Sequence, residues 1–210
     1  NLDPVVGRHS ETTRVIEILL RRRKNNPILV GDSGVGKTAV VEGLAHRIVN
    51  GNVPREIANH RLISIDLTAM LAGTKYRGDF EERCRNLIKE VRSQNDVVLF
   101  IDEVHTLVGA GGASGSLDAS NMFKSHLARG EIQLIGATTW REYRQRIDTD
   151  KSLTRRLQPV EVDEPNTDDA VEILQALRPV YESYHNVKIT DDSLRSAVHL
   201  SQRFLISRHL

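Results

Sequence analysis

The chain has one cysteine, Cys84, among its 210 residues, so no intramolecular disulfide can form and a reducing compartment is the simpler setting. No run approaches the ~18 consecutive apolar residues of a membrane span, and the start, Asn1-Leu2-Asp3-Pro4, holds no apolar signal core. One-signed charge is missing too. Lys and Arg number 29 against 28 Asp and Glu, a formal net charge of +1, so nothing global demands nucleic acid or an anionic membrane as partner. Repeats and low-complexity tracts are absent, and glycine is dense only over Gly109–Gly115. The eight histidines show no metal-ligand spacing such as H-x-x-x-H, so no structural metal is expected. No methionine precedes Asn1, and the chain is read as an excerpt of a longer protein. What is present suffices for a core: 39% hydrophobic and 27% charged residues exclude a disordered tail, and the length suits one large domain or one domain with a small satellite.

Short β-branched runs alternate with amphipathic helical stretches through the first two thirds, the pattern of a parallel sheet with crossover helices. Strands are expected at Pro27–Val30, Leu62–Leu67, Val97–Ile101, Ile132–Ala137 and Pro159–Val162, enough for a five-stranded open α/β sheet. Helices are expected from near Ser10, with Val15, Ile16, Leu19 and Leu20 inward, then over Lys37–Asn50, Asp79–Ser93 and Leu117–Ala128. Cys84 falls inside the third as a packed side chain. The basic run Arg21-Arg22-Arg23-Lys24 reads as a solvated helix C-terminus favoured by the dipole. After Glu164-Pro165 the signal becomes helical only, with Thr167–Tyr184 and Thr190–Ser207, the latter capped by Thr190. The expected division is a nucleotide-binding α/β part over 1–165 and the start of a small helical part over 166–210.

The run Gly31-Asp32-Ser33-Gly34-Val35-Gly36-Lys37-Thr38 fits G-x-x-x-x-G-K-[ST] at every fixed position, follows an apolar strand and leads into a helix-compatible segment. Glycines let successive N–H groups turn toward phosphates, the helix N-terminus adds a positive field, and Lys37 reaches the β/γ oxygens. Thr38 would ligate Mg²⁺. The buried run Val97–Ile101 ends in Asp102 and Glu103, at the strand edge where open parallel sheets bind ligands. Asp102 would hold Mg²⁺, and Glu103 would orient and deprotonate the attacking water.

With these elements stand Asp3-Pro4-Val5-Val6-Gly7-Arg8, Asn25-Asn26-Pro27, Ala72-Gly73-Thr74-Lys75-Tyr76-Arg77-Gly78 and Gly136-Ala137-Thr138-Thr139. Together they resemble the first nucleotide-binding domain of the AAA+ Clp unfoldases and disaggregases, over essentially the whole chain. The resemblance implies the P-loop AAA+ fold and ATP and Mg²⁺ as cofactors. It also implies a hexameric ring of identical subunits that unfolds polypeptides and threads them through a central pore, with a co-chaperone or peptidase as further partner. It implies no membrane or nucleic-acid partner and a place in a bacterial cytoplasm or an organelle matrix or stroma. On the same grounds Val5 and Val6 pack on the adenine, Thr139 senses the γ-phosphate, and Arg155 and Arg156 reach the nucleotide of a neighbouring subunit. Lys75, Tyr76 and Arg77 line the pore and grip substrate, and Gly109–Ser116 resembles a second pore loop. Leu157 stands where the family usually has Phe. The end at Leu210 leaves the helical lid incomplete, from which weak nucleotide binding, little hydrolysis and a monomeric state are expected for the isolated piece. A rival reading from another class is a nucleotide-dependent binding module such as a clamp loader, in which ATP switches partner affinity and nothing is threaded.

Overall fold

A computed structural model describes residues 5–72, 77–94, 96–109 and 116–205. Five parallel strands, β1 (Asn26–Val30), β2 (Arg61–Ile65), β3 (Val97–Ile101), β4 (Gln133–Thr138) and β5 (Leu157–Glu161), form one sheet in the order β2-β3-β4-β1-β5. Two-residue alternation sends neighbouring side chains to opposite faces. Ile28 and Val30 join Leu99, Ile101 and Leu134 in one buried layer. Leu29 joins Val98, Phe100 and Ile135 in the other. Both faces are covered, which is why β1 and β3 read as unbroken apolar runs.

Helices α1 (His9–Leu19) and α2 (Lys37–Val49) cover the second face. The first is covered by α4 (Arg77–Ser93) and α6 (Ser116–Arg129), with the short α3 (Leu67–Ala72) and α5 (Thr106–Gly109) beside them. Cys84 is buried in this layer, and desolvation, with the Glu81 charge adding to it, pushes its thiol up to about 11, so it packs as a small inert side chain.

Several boundaries differ from expectation. The second strand stops at Ile65 because the Asp66 carboxylate accepts the Ala69 N–H at 2.9 Å and starts α3, so Leu67 is helical. Leu20 is 40% exposed: α1 ends one residue earlier, and Arg21–Lys24 follow the helix end rather than forming it. After β4, α7 (Trp140–Glu142) continues into a π-helical turn over Tyr143–Ile147, and α8 (Lys151–Thr154) precedes β5. The helical part comprises α9 (Thr167–His185) and α10 (Asp191–Phe204), joined by a small core of Ala170, Val171 and Val198. Thr190 accepts the Ser193 N–H at 3.2 Å and caps α10 as expected, while Ser207 lies outside the described residues. Asn186, at φ +52°, ends α9 in the left-handed conformation that asparagine tolerates.

Candidate nucleotide site

The chain leaves β1 through Gly31. A Cβ there would meet the Val162 carbonyl oxygen at 2.1 Å, so only hydrogen fits between the loop and the segment after β5. Gly34 (φ +90°) and Gly36 (φ +93°) take left-handed conformations that a side chain would strain, and Gly36 is the N-cap of α2. The unsatisfied N–H groups of the first turn of α2 therefore open onto the loop. Lys37 is buried beneath it, and its ammonium donates to the carbonyls of Gly31 (3.0 Å) and Asp32 (2.7 Å). Asp32, Ser33, Gly34 and Thr38 are exposed, and Val35 is buried as the loop's apolar anchor. Gly31→Ala should destabilise the fold by the ~1–3 kcal/mol typical of overpacking, a loss that thermal unfolding would measure.

Arg8 was legible only as one letter of a longer motif. Its buried guanidinium donates to the Val35 carbonyl at 2.5 Å and to Glu11 at 2.8 Å, clasping the loop from behind. Burial raises the Glu11 carboxyl, but hydrogen bonds from Ser10, its own N–H and Arg8 outweigh it, and the group stays below its ordinary range.

Asp102 and Glu103 stand exposed at the carboxyl end of β3, with the Asp102 carboxylate accepting the Glu103 N–H at 2.9 Å. Glu103 has φ +49°, strained for a side-chain-bearing residue and of the kind concentrated at functional sites. Thr138 ends β4 opposite Val30, fully buried, and its carbonyl accepts the Gly31 N–H at 3.3 Å. Its hydroxyl lies 3.0 Å from Nδ1 of His105, which is 3.1 Å from Oε2 of Glu103. The Thr139 hydroxyl, in contrast, accepts the Glu142 N–H at 3.3 Å and caps α7. The structure thus joins Thr138, rather than Thr139, to the acid; strand alternation across β4 was the signal that could have separated the two.

Val5 and Val6 line a cleft of about 290 Å³ together with the loop from Gly34 to Gly36 and, across it, Pro165, Ile173 and Leu177. This volume lies at the lower end of ligand cavities. Ile173 and Leu177, one turn apart on α9, were hidden in its amphipathic pattern.

Arg155 and Arg156 lie elsewhere. They follow α8 and precede β5, whose first residue pairs with Asn26 while Glu161 pairs with Val30. The phosphate loop leaves the other end of these strands, ~13 Å away by strand rise alone. Arg155 is exposed and pairs with no described residue. Buried Asn26 accepts the Leu134 N–H at 2.8 Å and donates to the Arg156 carbonyl at 3.4 Å, fixing the arginine segment to the sheet.

Asp150 caps α8 through the Ser152 N–H (2.9 Å) and pairs with Lys124 of α6 at 2.8 Å. Burial raises its carboxyl, but Lys124 and Ser152 outweigh this and lower it from 3.8 to about 2. A folded-state value below the unfolded one stabilises above the unfolded value and is lost as pH falls through the folded one. Asp150→Ala should therefore cost ~1 kcal/mol at neutral pH. That gap from the parent, measured by chemical denaturation, should narrow as pH falls from about 3.8 toward about 2.

Lys75 and Tyr76 lie outside the described residues, as does the side chain of Arg77, which opens α4; 110–115 of the second expected pore loop lie outside them too.

Residues 27–160 match the model of the ATPase family associated with various cellular activities (AAA), and 166–210 match an AAA lid domain. The chain belongs to the AAA ATPases. Nucleotide binding is the shared property of this family, and the AAA chain is similar over its whole length to ClpC/MecB of Bacillus subtilis, named a negative regulator of genetic competence, at 53% identity. It is 57% identical over 209 residues to the chaperone protein ClpB of Aquifex aeolicus. The AAA chain spans 26% and 21% of these relatives' lengths. Among solved structures it is similar to the Saccharomyces cerevisiae Hsp104–ADP complex, with TM-score 0.92 and 45% identity, covering 100% of this chain and 36% of that one. A closed state of Hsp104 with ATPγS and FITC casein gives TM-score 0.90 and 46% identity, with the same coverage.

Proposed function

We propose that the chain is the ATP-binding and ATP-hydrolysing module of a ring-forming protein-remodelling chaperone that unfolds polypeptides and threads them through a central pore. In this reading residues 1–165 are the large subdomain and 166–210 begin the helical lid. Support for this reading comes from where the proposed catalytic residues lie, divided between the two ends of the sheet. The loop, Asp102 and Glu103 stand at the carboxyl ends of the strands, and Arg155 and Arg156 at the amino end of β5. Arginines so placed stand at the opposite strand ends from their own phosphate loop; in this reading they serve a site in the next identical subunit, and a ring is the working unit.

Adenine would lie between Val5 and Val6 on one side and Ile173 and Leu177 on the other. The loop N–H groups and Lys37, freed from the Gly31 and Asp32 carbonyls, would hold the phosphates. The exposed Thr38 hydroxyl and Asp102 carboxylate, both hard oxygen donors, suit Mg²⁺, which neutralises phosphate charge when bound. Glu103 takes the proton of the attacking water, and Thr138 supplies the neighbouring hydroxyl; Thr139, the residue the family motif nominates as sensor, would reach the γ-phosphate only by releasing its cap. Arg155 and Arg156 neutralise charge developing on the transferred phosphoryl group. No covalent intermediate is required, because transfer to water is mainly positioning and electrostatics.

Lys75, Tyr76 and Arg77 are proposed to meet the threaded chain, with unfolded or aggregated polypeptides as substrates. A co-chaperone or peptidase completes the partners. No nucleic-acid or membrane partner is proposed, and among the described residues no helix is long and apolar enough to cross a membrane. The proposed setting is a bacterial cytoplasm or an organelle matrix or stroma. In the full-length ring, Tyr76→Ala should keep ATP turnover and lose unfolding of a stable fluorescent substrate. Unfolding at the parent rate would refute the threading role and favour a nucleotide-dependent binding module.

A further inference from the structure

We propose that His105 is a positioning residue for hydrolysis, holding the Glu103 carboxylate in register with the Thr138 hydroxyl beside the phosphate loop. The proposal rests on the reading of Glu103 as the base that activates water. The Glu103 side chain is 56% exposed, and left to itself such a chain would sample many rotamers. His105 is only 14% exposed and presents one nitrogen, Nδ1, to both partners, at 3.1 Å from Glu103 Oε2 and 3.0 Å from Thr138 Oγ1.

An ionised carboxylate only accepts hydrogen bonds, so Nδ1 must carry the hydrogen and share it between carboxylate and hydroxyl. That arrangement leaves the Thr138 hydroxyl hydrogen uncommitted to His105. Thr138 in turn accepts the Gly31 N–H, so a continuous chain of contacts runs from the phosphate loop through β4 and His105 to the acid.

The backbone under His105 is held firmly. The Val104 N–H donates to the Ala137 carbonyl at 3.0 Å, and the Thr106 N–H to the Glu103 carbonyl at 2.8 Å. A Cβ on Gly136 would meet Val104 Cγ1 at 2.9 Å, so the turn lies directly on β4. The left-handed φ of Glu103 is part of the same turn. Strain at the acid and a tether on its side chain are two independent signs of one arrangement that fixes where the carboxylate stands. Neither Lys37 nor the cleft residues contribute to it, so its loss should act on the chemical step and spare binding.

The test is steady-state turnover and ADP affinity of the full-length protein, with the second nucleotide-binding domain that the resemblance implies silenced at its own phosphate-loop lysine. His105→Ala should lower kcat by about 10- to 100-fold, the scale of a misplaced catalytic group, with KM and ADP affinity within about twofold of the parent. His105→Asn puts an amide N–H where Nδ1 stood and should recover kcat to within about threefold of the parent. His105→Gln carries its amide to the Nε2 position and should remain slow. Parent kcat in His105→Ala, equal rates for the Asn and Gln variants, or a fall in nucleotide affinity matching the fall in kcat would each overturn the proposal. If His105→Ala fails to fold, the Asn and Gln pair carries the comparison. Glu103→Gln separates the two layers: an inactive Glu103→Gln beside a fully active His105→Ala sinks only the role of His105. Turnover by Glu103→Gln at the parent rate sinks the reading of Glu103 as well.

Discussion

Subunits carrying Arg155→Ala are expected to bind ATP like the parent and to lose ~10³-fold or more of their turnover, the range found when a charge-neutralising arginine is removed from phosphoryl transfer. The geometry behind this is the placement of Arg155 at the amino end of β5, against the outflow of the phosphate loop from the carboxyl end of β1. Because ~13 Å of strand rise separates the arginine segment from the loop of its own chain, the defect is expected to be complemented between chains. Rings of Arg155→Ala subunits and rings of Lys37→Ala subunits should each be inactive. Mixed rings should regain turnover where an intact loop faces an intact arginine. Mixtures as inactive as either parent would place the arginines outside the catalytic set.

Glu103→Gln should abolish turnover by ~10²–10⁴-fold, the contribution of a positioned general base, while ATP affinity stays near that of the parent. Glutamine is nearly isosteric and can still touch His105, so the φ +49° turn and the Asp102 hydrogen bond to the Glu103 N–H should survive. Rapid mixing with a fluorescent ATP analogue separates the steps. Binding at the parent rate followed by no phosphate release is the expected result. A parallel loss of binding would make Glu103 a structural residue of the loop.

The motifs of the proposed site are legible because they are local. Gly31–Thr38 and Asp102–Glu103 occupy short contiguous runs whose spacing follows from how a backbone wraps phosphate and how a strand ends. Strands β1 and β3 were readable for the same reason, since they are buried on both faces and show it as solid apolar runs. What escaped depends on distant parts of the chain meeting. Arg8 touches Val35 across 27 positions, and Ile173 and Leu177 face Val5 only once α9 has docked. The contact between Thr138 and His105 likewise joins residues 33 positions apart, whereas the Thr139 hydroxyl caps the helix that follows it. Leu67 is apolar and continues the pattern of a strand. The deciding residue was Asp66, whose side chain starts a helix instead.

Gly31–Thr38 is expected to wrap a triphosphate held by Lys37, and a crystal structure with a non-hydrolysable ATP analogue and Mg²⁺ would show whether it does. Phosphate density within the loop, with the Lys37 ammonium moved from the Gly31 and Asp32 carbonyls onto phosphate oxygens, is the predicted result. Analogue bound elsewhere while Lys37 keeps both carbonyls would contradict the account.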